Sequence, residues 1–414
     1  MKCLVGVDDT DSSSGCCTTY LGYRISVDLR DDLSVLGYPR LVRLNPNVPF
    51  KTRGNAAVCL PIETADPDRA FEAINAKVAQ LSDIANGANS GLVFLDDTSR
   101  APEFRELYLS ALRGLVNVHR VRRFLAQTGT RSMTLGNGMG LVGAACSLAF
   151  DERDDHTYEL IGYRKESAWG SRRSIDVSSV KQMDRMTFPA TFNNFDYQKK
   201  RVLVAPHGPD PVFAGIRGET PQAVTSAYSM LRFEEELDGQ MLYLSNQHTD
   251  AHIRSEVHWK AYSSGWAEGT VGDLSIGEGS HLYISLVSHD GAHPCAFYEP
   301  TGDLRRAAML LEPGDKVRVS GGVRRPSSTH PKILNVEKLE VLSLSGKGRK
   351  LVRGVYISSP RANRHLTKPL ARYMVGTDAP KLFVPLTADA ARPTPEPAGN
   401  QKLGRLRPLF PLTP

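Results

Sequence analysis

The residues with the clearest capacity for chemistry lie near the start of the chain. An apolar run, residues 3–7, precedes residues 8–19, in which three carboxylates and six hydroxyls occupy twelve positions. Carboxylates this close repel one another unless a cation or N–H donors offset them, and hard oxygen ligands suit Mg²⁺ on nucleotide phosphates. We therefore expect Asp8, Asp9 and Asp11 to hold a metal with its nucleotide. The alternative is a solvated loop that caps the next helix, because Asp, Ser and Thr are also cap and turn residues.

A second cluster, residues 45–55, joins two apolar stretches and carries a pair of cations. Lys51 and Arg53 are separated by one residue, so both side chains point to the same side of an extended segment. Two cations on one side can neutralise a polyphosphate or a nucleic-acid phosphate. An exposed basic loop is the alternative interpretation.

Two further loops combine glycine or proline with polar groups. Residues 136–140, Gly-Asn-Gly-Met-Gly, precede an apolar helix. The N–H groups of Gly138 and Gly140 would suit a phosphate at a helix start, and close packing is the alternative. Residues 206–211 form a Pro- and Gly-rich loop, on which the charge of Asp210 suits a cationic substrate.

These loops need elements that position them, and the first part of the chain alternates strand-like and helix-like segments. That alternation predicts a β/α layered domain over residues 1–129. The predicted strands are residues 3–7, 39–44, 56–62 and 91–95, and the predicted helices are residues 19–31, 67–84 and 101–125, the last broken near Gly114.

Residues 130–259 are predicted to form a ferredoxin-like domain, because their elements follow the order β-α-β-β-α-β. An insertion, residues 165–211, is longer than a hairpin loop. The predicted strands are residues 131–135, 158–164, 212–217 and 240–244, and the predicted helices are residues 139–150 and 221–237.

Residues 260–344 are predicted to be all-β. Five short strands with glycine-rich corners indicate an OB-fold barrel, which typically binds oligonucleotides or oligosaccharides, although a packing domain is the alternative. Residues 345–414 are predicted to be a basic segment followed by a flexible, proline-containing tail. The predicted strands are residues 266–271, 281–287, 296–298, 316–319 and 333–342.

The composition excludes several classes of protein. With 23% charged and 41% hydrophobic residues the chain is neither fibrous nor wholly disordered. It has no run near the roughly 18 apolar residues of a membrane helix and no secretory signal pattern, so the cytoplasm is the default location. No two cysteines stand at Cys-x-x-Cys spacing, so neither a zinc site nor a disulfide framework is expected. Cys3, Cys59 and Cys146 lie in apolar stretches and are expected in the core.

Four longer motifs occur in the same order as in one protein family. They are VGVDDTDSSSGCCTTY (5–20), RLNPNVPFKTRGN (43–55), APHGPDPVFAGIRGE (205–219) and NQHTDAHI (246–253). Together they resemble the 2-agmatinylcytidine synthetases that modify the wobble cytidine of an archaeal isoleucine tRNA. The resemblance continues in PRANRHLTKPL (360–370) and covers nearly the whole chain.

The resemblance implies a multidomain α+β protein with a kinase-like domain, a ferredoxin-like domain, an OB barrel and a zinc ribbon. It implies a ligase that uses ATP to phosphorylate the carbonyl at ring position two of the cytidine, after which the primary amine of agmatine displaces the phosphate. That change switches codon reading from AUG to AUA. ATP and Mg²⁺ are the implied cofactors, and tRNA and agmatine are the implied partners.

The resemblance also implies roles for particular residues. Asp8, Asp9 and Asp11 would hold Mg²⁺, and Thr18 would be the threonine that the kinase-like domain phosphorylates on itself. From its chemistry, we expect Lys51 to offset developing phosphate charge. The residues expected to bind the nucleotide are Asp11, Ser12, Ser13, Thr19, Arg53, Gly138 and Gly140, and Asp210 is the expected contact for the amine.

The sequence departs from the family at the zinc ribbon. Only residues 345–355 stand in its place, and they contain no cysteine, so no zinc is expected. Two other interpretations therefore stay open: an RNA-binding paralogue that is non-catalytic or altered, and an ATP-dependent enzyme that attaches another amine to RNA.

The net charge of +6 is unevenly distributed. Residues 346–377 contain eight Lys and Arg and no Asp or Glu, so the rest of the chain has a slight negative excess. We expect this segment to bind tRNA phosphates in place of the ribbon; a solvated connector is the alternative. The residues assigned to RNA binding are Lys347, Arg349, Lys350, Arg353, Arg364 and Lys368.

Overall fold

The chain folds into two units, each with its own apolar core. A computed structural model describes residues 1–12, 15–51, 55–188, 190–196, 200–301, 303–328, 331–345 and 354–357. Unit 1 contains residues 1–180 and 204–247, and unit 2 contains residues 181–203 and the described residues from 248 onward. Both helices and sheets are present, so the α+β class predicted from the sequence is confirmed.

The elements are labelled in chain order. The strands are β1 (Lys2–Asp8), β2 (Ser34–Val35), β3 (Arg40–Arg43), β4 (Ala56–Glu63), β5 (Gly91–Leu95), β6 (Arg131–Thr134), β7 (Thr157–Arg164), β8 (Thr191–Phe192), β9 (Phe195–Asp196), β10 (Arg201–Val202), β11 (Val212–Gly218), β12 (Leu237–Ser245), β13 (Ser264–Ile276), β14 (Leu282–Ser288), β15 (Gly291–Phe297), β16 (Lys316–Arg324), β17 (Ile333–Ser343) and β18 (Gly354–Ile357). The helices are α1 (Thr18–Asp28), α2 (Pro67–Leu81), α3 (Arg105–Arg113), α4 (Val118–Thr128), α5 (Leu141–Ser147), α6 (Val177–Thr187), α7 (Pro221–Ser229) and α8 (Asp303–Ala308).

One sheet runs through unit 1, in the order β6-β5-β1-β4-β3-β12-β7-β11, with β2 beside β4. β1 is antiparallel to both β4 and β5. The two halves of the sheet join through a parallel pairing of β3 with β12, in which Arg40 is opposite Leu244. Residues predicted as two separate domains, 1–129 and 130–259, thus contribute to a single sheet.

The structure assigns β6 and α5 to a different neighbourhood from the one the sequence predicted. They were expected to begin the ferredoxin-like domain, but β6 pairs with β5. α5 packs directly on β1, because a Cβ on Gly6 would lie 2.0 Å from the carbonyl oxygen of Ala144. The periodicity of a segment indicates its type, whereas its partner depends on contacts that are distant in sequence.

Two other boundaries also differ from the predictions. The helix predicted over residues 221–237 ends at Ser229, and residue 237 already begins β12. The predicted insertion, residues 165–211, contains α6 and the short strands β8 to β10. Part of its length is therefore secondary structure.

Local sequence explains how the main elements of unit 1 begin and which face they bury. The Asp66 side chain accepts hydrogen bonds from the N–H groups of Asp68 and Arg69, both at 3.1 Å, and Pro67 occupies the first position of α2. Alternate residues of β1 enter the main core of unit 1, where they meet apolar residues of α1 and α2. These core residues of β1 are Cys3, Val5 and Val7.

Unit 2 contains a closed five-stranded barrel. β13 pairs antiparallel with β14 and β16, and β14 pairs with β15. A parallel pairing of β15 with β17, in which Cys295 is opposite Leu334, closes the barrel. The five strands predicted between residues 266 and 342 are thus present, and α8 lies between the third and fourth of them. β18 is paired to the outer side of β17.

Three cysteines lie where the sequence predicts them. Cys3, Cys59 and Cys146 are fully buried, as expected for core residues. Within the described ranges, no helix combines the length and the apolar character needed to cross a membrane.

Candidate active site

Asp8 and Asp9 stand at the carboxyl end of β1, a strand in the interior of the sheet of unit 1. Asp8 is the last residue of β1 and is opposite Gly91 of β5. Because both neighbours of β1 are antiparallel to it, the loop that follows is flanked by the segment before β5 and the segment before β4. The start of the acidic loop therefore lies close to the described part of the second cluster, residues 45–51 and 55.

The backbone turns sharply after β1. Asp9 has a φ of 56°, a left-handed conformation that few residues other than glycine adopt. Its carbonyl oxygen accepts hydrogen bonds from the N–H of Asn89 and the hydroxyl of Ser90, each at 3.1 Å. The Ser12 hydroxyl donates to Oδ2 of Asp83 at 2.5 Å. The loop is thus fastened to the segment between α2 and β5.

Thr18 is the first residue of α1 and is buried. The Thr10 hydroxyl donates to Oγ1 of Thr18 over 3.0 Å. One residue later, the carbonyl oxygen of Thr19 accepts a 2.7 Å hydrogen bond from the Tyr243 hydroxyl, which ties the start of α1 to β12. The Thr10 contact therefore positions the Thr18 hydroxyl, and the Tyr243 contact holds the first turn of α1.

The carboxylates of the loop raise one another's pKa. Burial raises the pKa of Asp8 well above its ordinary value, and the charge of Asp9 adds to the effect. Burial and the charge of Asp11 raise the pKa of Asp9 to about 6. Because a bound cation would stabilise the ionised forms, the electrostatics of the loop favour a cation beside Asp8 and Asp9.

The three predicted metal ligands do not form a ready-made metal site. Among the residues that the structure describes, no three His, Cys, Asp or Glu side chains are grouped so that they could hold a metal ion. Mg²⁺ on nucleotide phosphates usually takes only one or two protein carboxylates and fills its other positions with phosphate and water oxygens. Asp8 and Asp9 fit this second kind of site, in which the substrate completes the ligand set.

A pocket of about 80 Å³ opens beside Asp8 and Asp9. Lys51 also lines it, so three residues that the sequence singled out meet here. Burial lowers the pKa of Lys51. At the edge of the pocket, Phe50 is 61% exposed and Leu115 is 47% exposed. The pocket therefore combines carboxylates, one cation and exposed apolar surface, which suits a ligand with both an anionic and an apolar part.

Two glycines around α5 make room for Asp8. A Cβ on Gly143 would lie only 1.8 Å from Oδ2 of Asp8, and a Cβ on Gly140 would lie 2.6 Å from the carbonyl oxygen of Asp8. The expectation that the Gly140 N–H binds phosphate is wrong, because this group donates to the carbonyl oxygen of Asn89 at 2.9 Å. Close packing, the alternative interpretation, accounts for Gly140, and the role of Gly138 stays a prediction.

Asp210 does not offer the isolated charge that the sequence suggested. It is 5% exposed, and its Oδ1 lies 3.3 Å from Nη2 of Arg173. The same oxygen accepts a hydrogen bond from the N–H of Val212. Arg173 also donates to carbonyl oxygens of the 206–211 loop. Arg173 therefore partly offsets the charge of Asp210, and the contact of Asp210 with an amine stays a prediction.

Three charged residues on neighbouring strands were missed in the sequence. Arg217 of β11 pairs with Glu159 of β7, Nη2 to Oε1, at 2.9 Å. The other carboxylate oxygen of Glu159 is buried and has no hydrogen-bond partner in the described part of the chain. Burial lowers the pKa of Arg43 on β3, while the charges of Glu159 and Asp11 oppose this shift. The available signal was a charged residue inside an otherwise apolar strand, as in TYELIGYR.

The other predicted site residues either are buried near the acidic loop or fall outside the described residues. Ser12 and Thr19 are buried in or beside the acidic loop, and their contact with a nucleotide stays a prediction. The remaining ones fall outside the described residues: Ser13, Arg53, Lys347, Arg349, Lys350, Arg353, Arg364 and Lys368.

The fold and the site define an α+β protein whose pocket joins paired carboxylates to a lysine. Residues 4–66 match the family model described as the TiaS TCKD domain, and residues 138–252 match the TiaS FLD domain. A relative from Cenarchaeum symbiosum, named as the 2-agmatinylcytidine synthetase TiaS of an isoleucine tRNA, is 40% identical over 346 residues, which cover 82% of this chain and 77% of the relative. The chain therefore belongs to the TiaS family of tRNA 2-agmatinylcytidine synthetases.

Solved structures agree with this assignment. A complex of TiaS with its isoleucine tRNA and ATP is 31% identical to the chain, has a TM-score of 0.83 and covers 90% of this chain and 97% of the solved one. A complex of TiaS with the same tRNA, AMPCPP and agmatine is 30% identical, has a TM-score of 0.83 and covers 92% and 99%. The likeness thus extends over both units.

Proposed function

We propose that the protein uses ATP to attach agmatine to the wobble cytidine of an isoleucine tRNA, which changes codon reading from AUG to AUA. The observation that carries the proposal is the pocket where Asp8, Asp9 and Lys51 meet, in a chain that is 40% identical to a named synthetase of this activity. A metal-bearing anion such as ATP suits carboxylates and a lysine around one pocket.

Within this proposal, each residue of the loop has a chemical task. Asp8 and Asp9 would hold Mg²⁺, which would neutralise phosphate charge when bound with ATP. Lys51 is placed on the same pocket and would stabilise the negative charge that develops on the transferred phosphoryl group. Thr18 would accept a phosphoryl group on its hydroxyl, which the hydrogen bond from Thr10 orients.

The ligation itself requires two bond changes at the cytidine. The oxygen at ring position two bonds to a phosphorus of ATP, and the corresponding phosphoanhydride bond breaks. The primary amine of agmatine then bonds to the ring carbon, the carbon–oxygen bond breaks, and phosphate leaves with that oxygen. The neutral amine is the nucleophile, so the proton it loses on addition passes to a base or to water.

The domain architecture of the family is the second part of the proposal. β13 to β17 support an OB barrel, because a parallel pairing closes the five strands and a helix lies between the third and fourth. β7, β11 and β12 support a ferredoxin-like region, since β7 pairs antiparallel with both of the others and α7 connects β11 to β12. The kinase-like region would include β6, which pairs with β5 and precedes the residues that match the FLD domain.

The basic segment, residues 346–377, is proposed to bind tRNA phosphates. Its eight Lys and Arg are not balanced by any acidic residue, and it follows the barrel directly. Phosphate binding by such a segment gains free energy from the release of condensed counterions. The proposed contacts are Lys347, Arg349, Lys350, Arg353, Arg364 and Lys368.

The test is to identify the product. The protein is incubated with ATP, Mg²⁺, agmatine and the unmodified isoleucine tRNA, and the tRNA is digested to nucleosides for mass spectrometry. We expect 2-agmatinylcytidine, and an excess of spermidine or lysine should not replace agmatine in the product.

Two comparisons make this assay decisive. Asp8→Ala should abolish product formation and ATP turnover but leave tRNA affinity nearly unchanged, whereas Asp97→Ala, a change at an exposed carboxylate, should retain activity. A product that carries another amine would replace agmatine in the proposal, and wild-type protein that binds tRNA and yields no modified cytidine would refute the ligase.

A further inference from the structure

Helix α4 has a basic face on which no acidic residue occurs. Its sequence, VHRVRRFLAQT, contains three arginines. Val121 and Leu125 are buried, so they define the side of the helix that packs on unit 1. Arg122 and Arg123 are exposed on its outer side. The helix therefore presents cations to solvent, a pattern that fits either a solvated surface or an anion-binding one.

The two exposed arginines of this face, Arg122 and Arg123, are not paired with carboxylates within the described residues. Arg123 has no hydrogen-bond or ion-pair partner among the described residues, and Arg122 donates only to the carbonyl oxygen of Asn137, at 3.1 Å. Four other arginines of unit 1, by contrast, are paired with carboxylates: Arg100 with Glu103, Arg105 with Asp154, Arg131 with Asp68, and Arg120 of the same helix with Glu106. Arg122 and Arg123 thus keep their full charge for an external anion.

The position of α4 connects this face to the candidate active site. Leu115 and Val116, which line the pocket, immediately precede the helix. Arg122 bonds to the loop that carries Met139, another lining residue. The basic face therefore begins at the rim of the pocket that holds Asp8.

We propose that Arg122 and Arg123 bind phosphates of the RNA strand that flanks the nucleotide entering the pocket. The inference rests on the proposed function, because it takes the pocket as the place where an RNA nucleotide reacts. The two acidic residues of the pocket repel an RNA backbone, so cations at its rim are needed to hold the strand there. Guanidinium groups suit this task because they make paired hydrogen bonds to phosphate oxygens.

The experiment measures affinity for the isoleucine tRNA over a series of salt concentrations by fluorescence anisotropy. The variant Arg122→Gln/Arg123→Gln should bind about tenfold more weakly near physiological salt, and the slope of log K against log salt should fall in magnitude by about 1.5, since each lost phosphate contact removes about 0.7–0.9. The matched control is Lys2→Gln/Arg30→Gln, which also removes two exposed cations from unit 1. It should leave affinity and slope unchanged.

The outcomes separate this inference from the proposed function. If the Arg122/Arg123 variant keeps the wild-type affinity and salt slope, the face does not bind RNA, whether or not agmatine is ligated; an acidic protein partner would then be the better candidate. If affinity falls with an unchanged slope, direct phosphate binding is also refuted. If wild-type protein forms no 2-agmatinylcytidine but its tRNA binding still depends on both arginines, the proposed function fails, and only the binding of RNA phosphates by Arg122 and Arg123 stands.

Discussion

Gly143 is the residue on which the position of Asp8 most directly depends. A Cβ at this position would lie 1.8 Å from the Asp8 carboxylate, far inside contact distance. An alanine in a helix gains about 1 kcal/mol over glycine, whereas overpacking a closed site costs about 1–3 kcal/mol. The clash therefore outweighs the propensity gain. Gly143 serves to make room for the Asp8 carboxylate and does not serve to stabilise α5.

We expect Gly143→Ala to lower the free energy of unfolding by about 1–2 kcal/mol, measured by urea denaturation. It should also reduce ATP turnover by about 10²-fold, because a displacement of about 1 Å in a catalytic group has effects of that size. In an Asp8→Ala background the same glycine change should no longer lower the free energy of unfolding and should raise it by up to about 1 kcal/mol, the helix-propensity gain. A cost that is equal in both backgrounds would show that the glycine serves α5 itself.

The raised pKa values of the acidic loop lower the folding stability of the protein at neutral pH. Asp8 and Asp9 are held with raised pKa values by burial and by their neighbours. For such groups, stability is fully present below the unfolded pKa and is lost as pH rises through the folded pKa. The loop therefore opposes folding at neutral pH when no cation is bound, and ligand binding would offset this cost.

At the scale of elements, the start of α1 is held by a chain of hydroxyl groups. The hydroxyl groups of Tyr163 and Tyr243 are 2.9 Å apart, and Tyr243 donates to the carbonyl oxygen of Thr19. Tyr163 and Tyr243 are fully buried on β7 and β12. Strands from the second half of the sheet thus determine where α1, and with it Thr18, begins.

Tyr243→Phe should therefore lower the free energy of unfolding by about 1–3 kcal/mol, because it removes one donor from the Thr19 carbonyl oxygen and one partner from the buried Tyr163 hydroxyl. Phosphorylation of Thr18 should fall as well, since the first turn of α1 loses one of its two anchors. Thermal unfolding and mass spectrometry of the protein after incubation with ATP measure the two effects.

The control for this change is Tyr38→Phe. Tyr38 is in the same unit and half-buried, and its hydroxyl has no hydrogen-bond partner in the described ranges. It should change stability by less than about 0.5 kcal/mol. Equal effects of the two tyrosine variants would mean that the contact with Thr19 contributes nothing specific.

At the scale of the whole molecule, charge is divided between a nearly balanced body and one basic segment. The chain carries a net charge of +6, and residues 346–377 contribute eight positive charges. Residues 346–377 therefore concentrate the attraction for RNA in one segment, because the rest of the chain is slightly acidic. The pocket must then rely on the cations near it, Arg122 and Arg123, to attract an RNA strand. RNA binding is thus expected to use two separate regions of the chain.

Arg349→Glu/Lys350→Glu should weaken tRNA binding by about tenfold or more and reduce its salt dependence, because each lost phosphate contact removes counterion release. The measurement is the same anisotropy titration, with Lys2→Glu/Arg30→Glu as the control, because it changes the net charge by the same amount at two exposed positions of unit 1. Unchanged affinity would identify the segment as a solvated connector.

The sequence predicted many of the parts of this protein but fewer of their partners. The acidic loop, the Lys51 cluster, the α+β class and the five barrel strands could be predicted, because each depends on residue type or on periodicity over a few residues. The family resemblance was carried by motifs that are contiguous in the chain. The length of α7 was overestimated: the sequence predicted a helix over residues 221–237, whereas the helix ends at Ser229.

Only the tertiary structure decided which groups meet and which remain available. It paired β6 with β5, engaged the Gly140 N–H with the carbonyl oxygen of Asn89, and placed Arg173 beside Asp210. It also brought Glu159 and Arg217 together from separate strands. Pairing, burial and the use of each hydrogen-bonding group depend on contacts between residues far apart in sequence. The sequence by itself therefore determined the chemical inventory of the site, and the fold determined its geometry.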